Sequence, residues 1–231
     1  MCVVVKGCCG LLAYWVAYLD SAVNIFTGTR YFATNAIQAL DVPAEYFVDP
    51  ATLTVSFIPP ATTRGPINVT MSVATENIIS LNNVSFVTLQ NIHVAYSRAG
   101  GIYVTNSTAI KLVNISVSNV GLAGITLRDG ANNTISGATV SNTGAYGIHV
   151  AGGDRQTLAP CGHVVSDSIV HTFSQRCLTY NPGVQASGVG ITVARNEIFD
   201  GPHSGIITTG NDNVFIGNVI HHTIQQVLRS G

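Results

Sequence analysis

The residues able to do acid–base chemistry are few and cluster late in the chain. Charged residues make up only 9% of its 231 positions. His203, just after Gly201-Pro202, is the foremost general acid/base candidate, because imidazole alone among unperturbed side chains titrates near neutral pH. Its competing reading is a structural histidine beside a core strand. Asp154, Asp200 and Asp212 are the carboxylates near the loops. Glycoside hydrolysis needs two such groups roughly 5 to 9.5 Å apart across the scissile bond. Asp212 follows Gly210-Asn211 and also reads as a turn residue capping backbone amides. Asp154 and Arg155 read equally as an ion pair inside their loop. His93 and His149 stand between apolar neighbours on alternating segments, which points them out of the core, either to line a groove or, the better reading, as plain surface residues. Of His221 and His222, only one can face outward. Eliminative chemistry would need a base and, for an acidic sugar, a cation on clustered acids; only Lys6 and Lys111 are lysines, and no aspartate cluster has calcium-type spacing. No glycine loop lies between a strand and a helix as a nucleotide would require, so no cofactor and no metal is expected.

These residues are carried on a repeat. One phrase is Gly-Ile-x-apolar, as in Gly101-Ile102-Tyr103-Val104, Gly124-Ile125-Thr126-Leu127, Gly147-Ile148-His149-Val150 and Gly205-Ile206-Ile207-Thr208. Cys177-Leu178-Thr179-Tyr180 fills the slot between the last two. A second phrase opens on a polar residue: Asn91-Ile92-His93-Val94, Asn114-Ile115-Ser116-Val117, Gly137-Ala138-Thr139-Val140, Asp167-Ser168-Ile169-Val170, Asn196-Glu197-Ile198-Phe199 and Asn218-Val219-Ile220-His221. Both recur first at 23 residues, and independent phrases with one period mark a repeat architecture. Each unit holds two or three segments of about four residues, rich in Val, Ile and Thr and separated by Gly, Asn or Ser. Two helices per unit would not fit. A unit of this kind is one coil of a parallel β-helix, stacked on the next at about 4.8 Å. Inward Ile and Val rows then form one core, and Asn turned inward at a bend bonds the neighbouring coil.

The expected organisation is an N-terminal segment with a capping module over 1–66, coils over 67–222, and a tail over 223–231. Residues 31–41 predict a short helix carrying Ala36, Ile37 and Leu40 on one side, ended by Pro43. Residues 45–49 and 53–58 predict two strands across a turn at Pro50, a lid for the open end of the solenoid. Ile67 to Leu81 reads as an entry strand pair, with Val69, Met71 and Val73 in alternation. After Val150 the period lengthens. The extra residues are read in 151–162 and 181–188, as loops on one face, which in a solenoid is often the binding face. Cys177 reads as a buried small residue.

The net charge of −1 gives no electrostatic case for nucleic acid or an anionic membrane. The apolar run 7–22 is too short and too polar at Asp20 and Ser21 to span a bilayer, and it is a poor signal peptide. The expectation is that the chain begins inside a longer protein. Cysteine usage, an odd five with no metal spacing, leaves the compartment open. Sequons at Asn68, Asn83, Asn106, Asn114 and Asn132 weigh little in a chain so rich in Asn, Ser and Thr.

The stretch 152–222 resembles the right-handed parallel β-helix proteins of the pectin-lyase-like fold. The matching pieces are Gly152-Gly153-Asp154-Arg155-x-Thr157-Leu158-x-Pro160, Thr179-Tyr180-x-Pro182, Gly188-Val189-Gly190, Gly201-Pro202-His203-Ser204-Gly205-Ile206, Gly210-Asn211-Asp212-Asn213 and Asn218-x-Ile220-His221. The module from Leu40 to Pro60 looks like the segment before the coils in that group, with Ala44 where glycine is usual. The resemblance implies an all-β, single-stranded right-handed parallel β-helix solenoid with an N-terminal helix/hairpin cap. It also implies activity on a polysaccharide or oligosaccharide, since relatives of established activity are polysaccharide lyases and glycoside hydrolases. A non-catalytic carbohydrate-binding protein is the alternative. Catalysis would fall to His203, Asp212 and Asp154, with Arg155, Tyr180, Asn211 and His221 touching substrate. An extracellular or cell-surface location fits better than a cytoplasmic one. Relatives continue past the Asn-x-Ile-His element into further coils with an acidic stretch, where this sequence changes character at Thr223. Polygalacturonase-type Asn-Thr-Asp, Asp-Asp and Gly-His-Gly signatures are absent.

Overall fold

A computed structural model describes residues 35–60 and 69–224. The run 7–22, Cys2, Cys8, Cys9, Asn68, the start of the 31–41 segment and the tail beyond Ile224 lie outside the described residues. Two compact units divide at Val69.

In the first unit, Tyr46–Asp49 pairs antiparallel with Thr54–Phe57, as the alternation predicts. The turn is closed by Asp49, whose carboxylate accepts from the Ala51 amide and the Thr52 hydroxyl. Those bonds hold its carboxyl below the ordinary range. Ala44 has φ of +74°, a left-handed conformation that glycine takes without strain. Within 35–41, the described part of the expected helix, the structure has a single 3₁₀ turn, Ile37–Ala39, with Ile37 exposed.

The second unit is a stack of six coils built from three six-stranded parallel sheets. Sheet I holds Ile79–Asn82, Ile102–Thr108, Ile125–Ala131, Ile148–Gly152, Val184–Val189 and Ile206–Asn211. Sheet II holds Thr88–Gln90, Lys111–Val113, Thr134–Ser136, Val164–Ser166, Thr192–Ala194 and Val214–Ile216. Sheet III holds His93–Ser97, Ser116–Val120, Thr139–Thr143, Ile169–His171, Glu197–Gly201 and Val219–Thr223. Inward positions stack like on like: Ile79, Ile102, Ile125, Ile148, Val184 and Ile206 in sheet I, and Val94, Val117, Val140, Val170, Ile198 and Ile220 in sheet III. Ile102, Ile125, Ile148 and Val184 are buried to within about 1%. Each such side chain contributes about 1.5–3 kcal/mol on leaving water.

Of the expected entry pair, the second strand forms as Ile79–Asn82, while Val69, Met71 and Val73 are exposed and in no strand, with only a bridge from Ala74 to Ser97 before it. Their alternation has no second face to bury against.

Two registers differ from the sequence reading. In the glycine column, Gly183 and not Cys177 lies over Gly147, because Val184 pairs with Ile148. The column is Gly101, Gly124, Gly147, Gly183 and Gly205, with 23, 23, 36 and 22 residues between members. A Cβ at each would run into the Val or Ile of sheet III in the same coil, so the column marks where two sheets meet too closely for a side chain. Cys177 is a half-buried loop residue.

The asparagine phrase also hides a slip of one residue. At the corner between sheets II and III, the first position holds Asn91, Asn114, Gly137, Asp167, Arg195 and Gly217, all with φ between +49° and +65°. These residue types tolerate the left-handed turn, and Arg195 is held there by a bidentate ion pair to Asp167. Asn196 and Asn218 occupy the second, inward position. Asn196 accepts from the Ser168 amide at 3.0 Å and donates to Val165 O at 3.1 Å; Asn218 likewise bonds Asn196 N and Val193 O. Asn196 and Asn218 thus each tie their coil to the one before it, while Asn91 and Asn114 only turn the corner.

Candidate functional site

Outward positions of sheet I form two rows. Tyr103, Thr126, His149, Gln185 and Ile207 are in register in the first, and Thr105, Arg128, Ala151, Ser187 and Thr209 in the second. Alternation puts them outside because Ile102, Val104, Leu127, Ile148 and Val150 point in. The floor is therefore flat and rich in hydrogen-bonding groups, with Gln185 Nε2 donating to Ser187 Oγ at 3.0 Å. Tyr146, at the corner before the strand, stacks on His149 with centroids 5.1 Å apart. Burial, and then the nearby Arg128 guanidinium, push the His149 imidazole below its ordinary value of 6.5. It is neutral at neutral pH, as a base or hydrogen-bonding group must be.

Both lengthened segments leave the same coil and flank this face. One is 153–163, at the corner of sheets I and II, where 109–110, 132–133 and 190–191 suffice in other coils. It begins with a tight hairpin bridged between Asp154 and Ala159. Asp154 accepts from the Gln156 amide at 2.8 Å and the Thr157 hydroxyl at 2.9 Å, which keeps its carboxyl below the usual range. Its oxygens serve the turn, not an ion pair with Arg155. The other is 172–183, at the corner of sheets III and I, and not 181–188, most of which is strand. It folds back over earlier coils: Ser174 N donates to Ala145 O, Arg176 N and Cys177 N to Gly144 O, and the Arg176 guanidinium to Gly121 O. Phe173 turns wholly inward from it, into room left by Gly183 and Gly201. Ser174 and Asn181 close the loop on itself, Ser174 Oγ donating to Cys177 O and Asn181 Nδ2 to Thr179 O.

The sequence candidates fall in three places. Tyr180 and His203 meet at the sheet III–I corner, ring centroids 5.4 Å apart, with His203 Nδ1 buried and unpartnered. Asp154, Arg155, Asn211 and Asp212 lie at the opposite edge of sheet I. Asp212 has φ of +55° in the corner column that includes Asn132, Gly162 and Gly190, which is the turn role. The six-residue strand Ile206–Asn211 separates His203 from Asp212 by roughly 17 Å at about 3.3 Å per residue. Asp154 and Asp212 are two rungs apart, roughly 10 Å along the stack. His221 is elsewhere, on the outer face of sheet III, stacked on Phe199 and through it on His171, with Nε2 3.2 Å from Glu197. Asp200 turns the end of a sheet III strand at φ of +53°. Among the described residues no group of three or more His, Cys, Asp or Glu could hold a metal ion, and no helix is long and apolar enough to cross a membrane.

Sequence reasoning reached one residue of this face and missed its neighbours. Alternation alone turned His149 outward, but only the register sets Tyr146, Arg128 and Gln185 beside it.

Residues 77–162 match the family described as the right handed beta helix region. No curated protein matches the chain. Among solved structures, the A-module of the Azotobacter vinelandii mannuronan C-5 epimerase AlgE4 is similar at 16% identity and a TM-score of 0.30, over 65% of this chain and 55% of that module. The chain thus spans about half the length of that structure.

Proposed function

Starting from a chain that is a right-handed parallel β-helix protein, we propose that it binds a polysaccharide or oligosaccharide across the outer face of sheet I and acts on it there. The observation that carries this reading is that both insertions belong to one coil and bracket one sheet face. Among the described coils every other one holds near 23 residues, so the added length lies in these two segments. Between them, Tyr103, Thr126, His149, Gln185 and Ser187 offer hydroxyl, amide and imidazole groups at the strand spacing. Such a floor suits a chain of hydroxylated rings, which hydrogen-bonds at its edges and rests its C–H faces on aromatic rings. Fold-level analogy to the lyases and hydrolases that the sequence resembles adds to this as analogy only. An extracellular or cell-surface site of action belongs to the same proposal.

Cleavage is the fuller form of the reading. His149, neutral within the groove, and His203, on its rim beside Tyr180, are the bases in reach. Binding without cleavage is favoured by one feature: Asp154 is engaged in its turn, and His203 lies across the sheet from both carboxylates. A panel of neutral and acidic polysaccharides, followed by calorimetry, reducing-end release and absorbance of unsaturated products, tests both. His149→Ala and Arg128→Ala should each weaken saccharide binding about tenfold, or 1.4 kcal/mol, while His221→Ala on sheet III should leave it unchanged. Equal affinity in all three variants would remove the groove from consideration. If cleavage is found, its loss in His203→Ala and Asp212→Asn, with binding kept, identifies those residues as reacting groups. Wild-type turnover in both would exclude them.

A further inference from the structure

One buried histidine has no part in the groove yet sits in the coil that builds it. His163 is wholly inaccessible to solvent and occupies the inward corner position that Asn133 and Asn213 fill in other coils. There, Asn133 Oδ1 accepts from Ile110 N and Asn213 Oδ1 from Ile191 N, both at 2.9 Å. In the His163 coil the acceptor is Nδ1, which takes the Asn133 amide proton at 3.3 Å. An imidazole nitrogen that accepts carries no hydrogen, so the proton of the neutral ring is on Nε2. Nε2 is buried and faces Gly152, where a Cβ would stand 2.9 Å away.

We propose that His163 is an acid-sensitive latch: protonation sets a second N–H against the Asn133 amide and releases the corner that holds the 153–163 wall. An asparagine at this position could not do this, because its amide does not titrate. The corner also supplies what the wall hangs from, since Cys161 N donates to Val189 O and Asn132 N to Cys161 O.

The groups facing the ring are few. On strand Ile125–Ala131, Asp129 favours the charged form through its backbone carbonyl and its carboxylate, but burial is the larger effect and holds the imidazole below 6.5. On the ring's own segment the titratable neighbour is Cys161, whose thiol burial pushes up and keeps neutral. Strands Ile148–Gly152 and Thr192–Ala194 present Gly152 and Thr192, which carry no charge. Above about pH 6.5 the ring is neutral whether the corner is closed or open, and the corner has its full stability. Below it, the open corner binds a proton that the closed one refuses, so stability falls as pH falls.

Hydrogen exchange on the intact chain without ligand tests the latch directly. From about pH 7 to about pH 5, and after correction for intrinsic exchange, amides of Asn133 and 153–163 should lose protection progressively below 6.5, by at most about tenfold per pH unit. His163→Asn, which keeps an acceptor in the corner, should flatten that dependence. His149→Gln, which removes the other low-titrating imidazole, should leave it in place. Flat protection in the wild type, or an unchanged acid response in His163→Asn, would overturn the proposal; the wild-type arm decides even if the variant fails to fold. The consequence that acid opens one wall of the groove rests on the function proposed above. It is read separately, as saccharide affinity against pH, so failure of one does not decide the other.

Discussion

Gly183→Ala should cost about 3 kcal/mol of stability and lower the melting temperature by on the order of 10 °C, whereas Cys177→Ala should stay within about 0.5 kcal/mol. Gly183 lies over Gly147 and under Gly205 at the junction of sheets III and I. An added methyl would collide with Ile198 Cγ2, and it would stand 3.0 Å from the Gly205 carbonyl and 3.1 Å from the Phe173 ring. None of these is the loose end of a surface side chain: Ile198 and Phe173 are fully buried. Relief would mean moving one coil against the next, and the coils on either side are bonded to it along three sheets. Cys177 is a half-buried loop residue whose backbone, not its thiol, makes the bonds to Gly144 and Ser174. Thermal melts of the two variants therefore read the register. If Cys177→Ala were the damaging change and Gly183→Ala the mild one, the sheet I pairing after Ile148 would be wrong.

The second expected result concerns two asparagines that a sequence phrase treats as equivalent. Asn196→Ala should destabilise by about 3 kcal/mol, because it strands two buried backbone groups at roughly 1–3 kcal/mol each. The Ser168 amide would lose its acceptor and the Val165 carbonyl its donor, at a site only 1% exposed. Asn91→Gly should be nearly silent, within about 0.5 kcal/mol. Asn91 is exposed, its φ is +57°, and its backbone amide bonds Val113 O whatever the side chain. Glycine adopts that conformation freely. Urea midpoints for the pair measure the difference. Similar losses in both would mean that the inward ladder does not carry the load assigned to it.

These two results trace what could be read in the letters of the chain. The 23-residue period and the alternation of Ile, Val and Thr suffice for a parallel β-helix, because only a stack of coils buries so many short apolar segments with so few charges. The aliphatic rows through Ile102, Ile125 and Ile148 follow from the same pattern, as does the bend at Asp212. The lengthened segment after Val150 was also legible.

What the sequence could not decide was register where the period breaks. Side chains in a strand alternate sides, so a slip of one residue exchanges core for solvent. Asn196 and Asn91 begin similar phrases yet lie on opposite sides of the chain. Cys177 continues an apolar phrase, but only pairing to Ile148 chooses Gly183 in its stead. Those choices fix where the second wall starts, that both walls bracket sheet I, and that His203 and Asp212 stand at its opposite edges. They also put a histidine where a neighbouring coil keeps an asparagine. Local composition settled that the chain coils; only the contact of each coil with the next decided which side chains face one another.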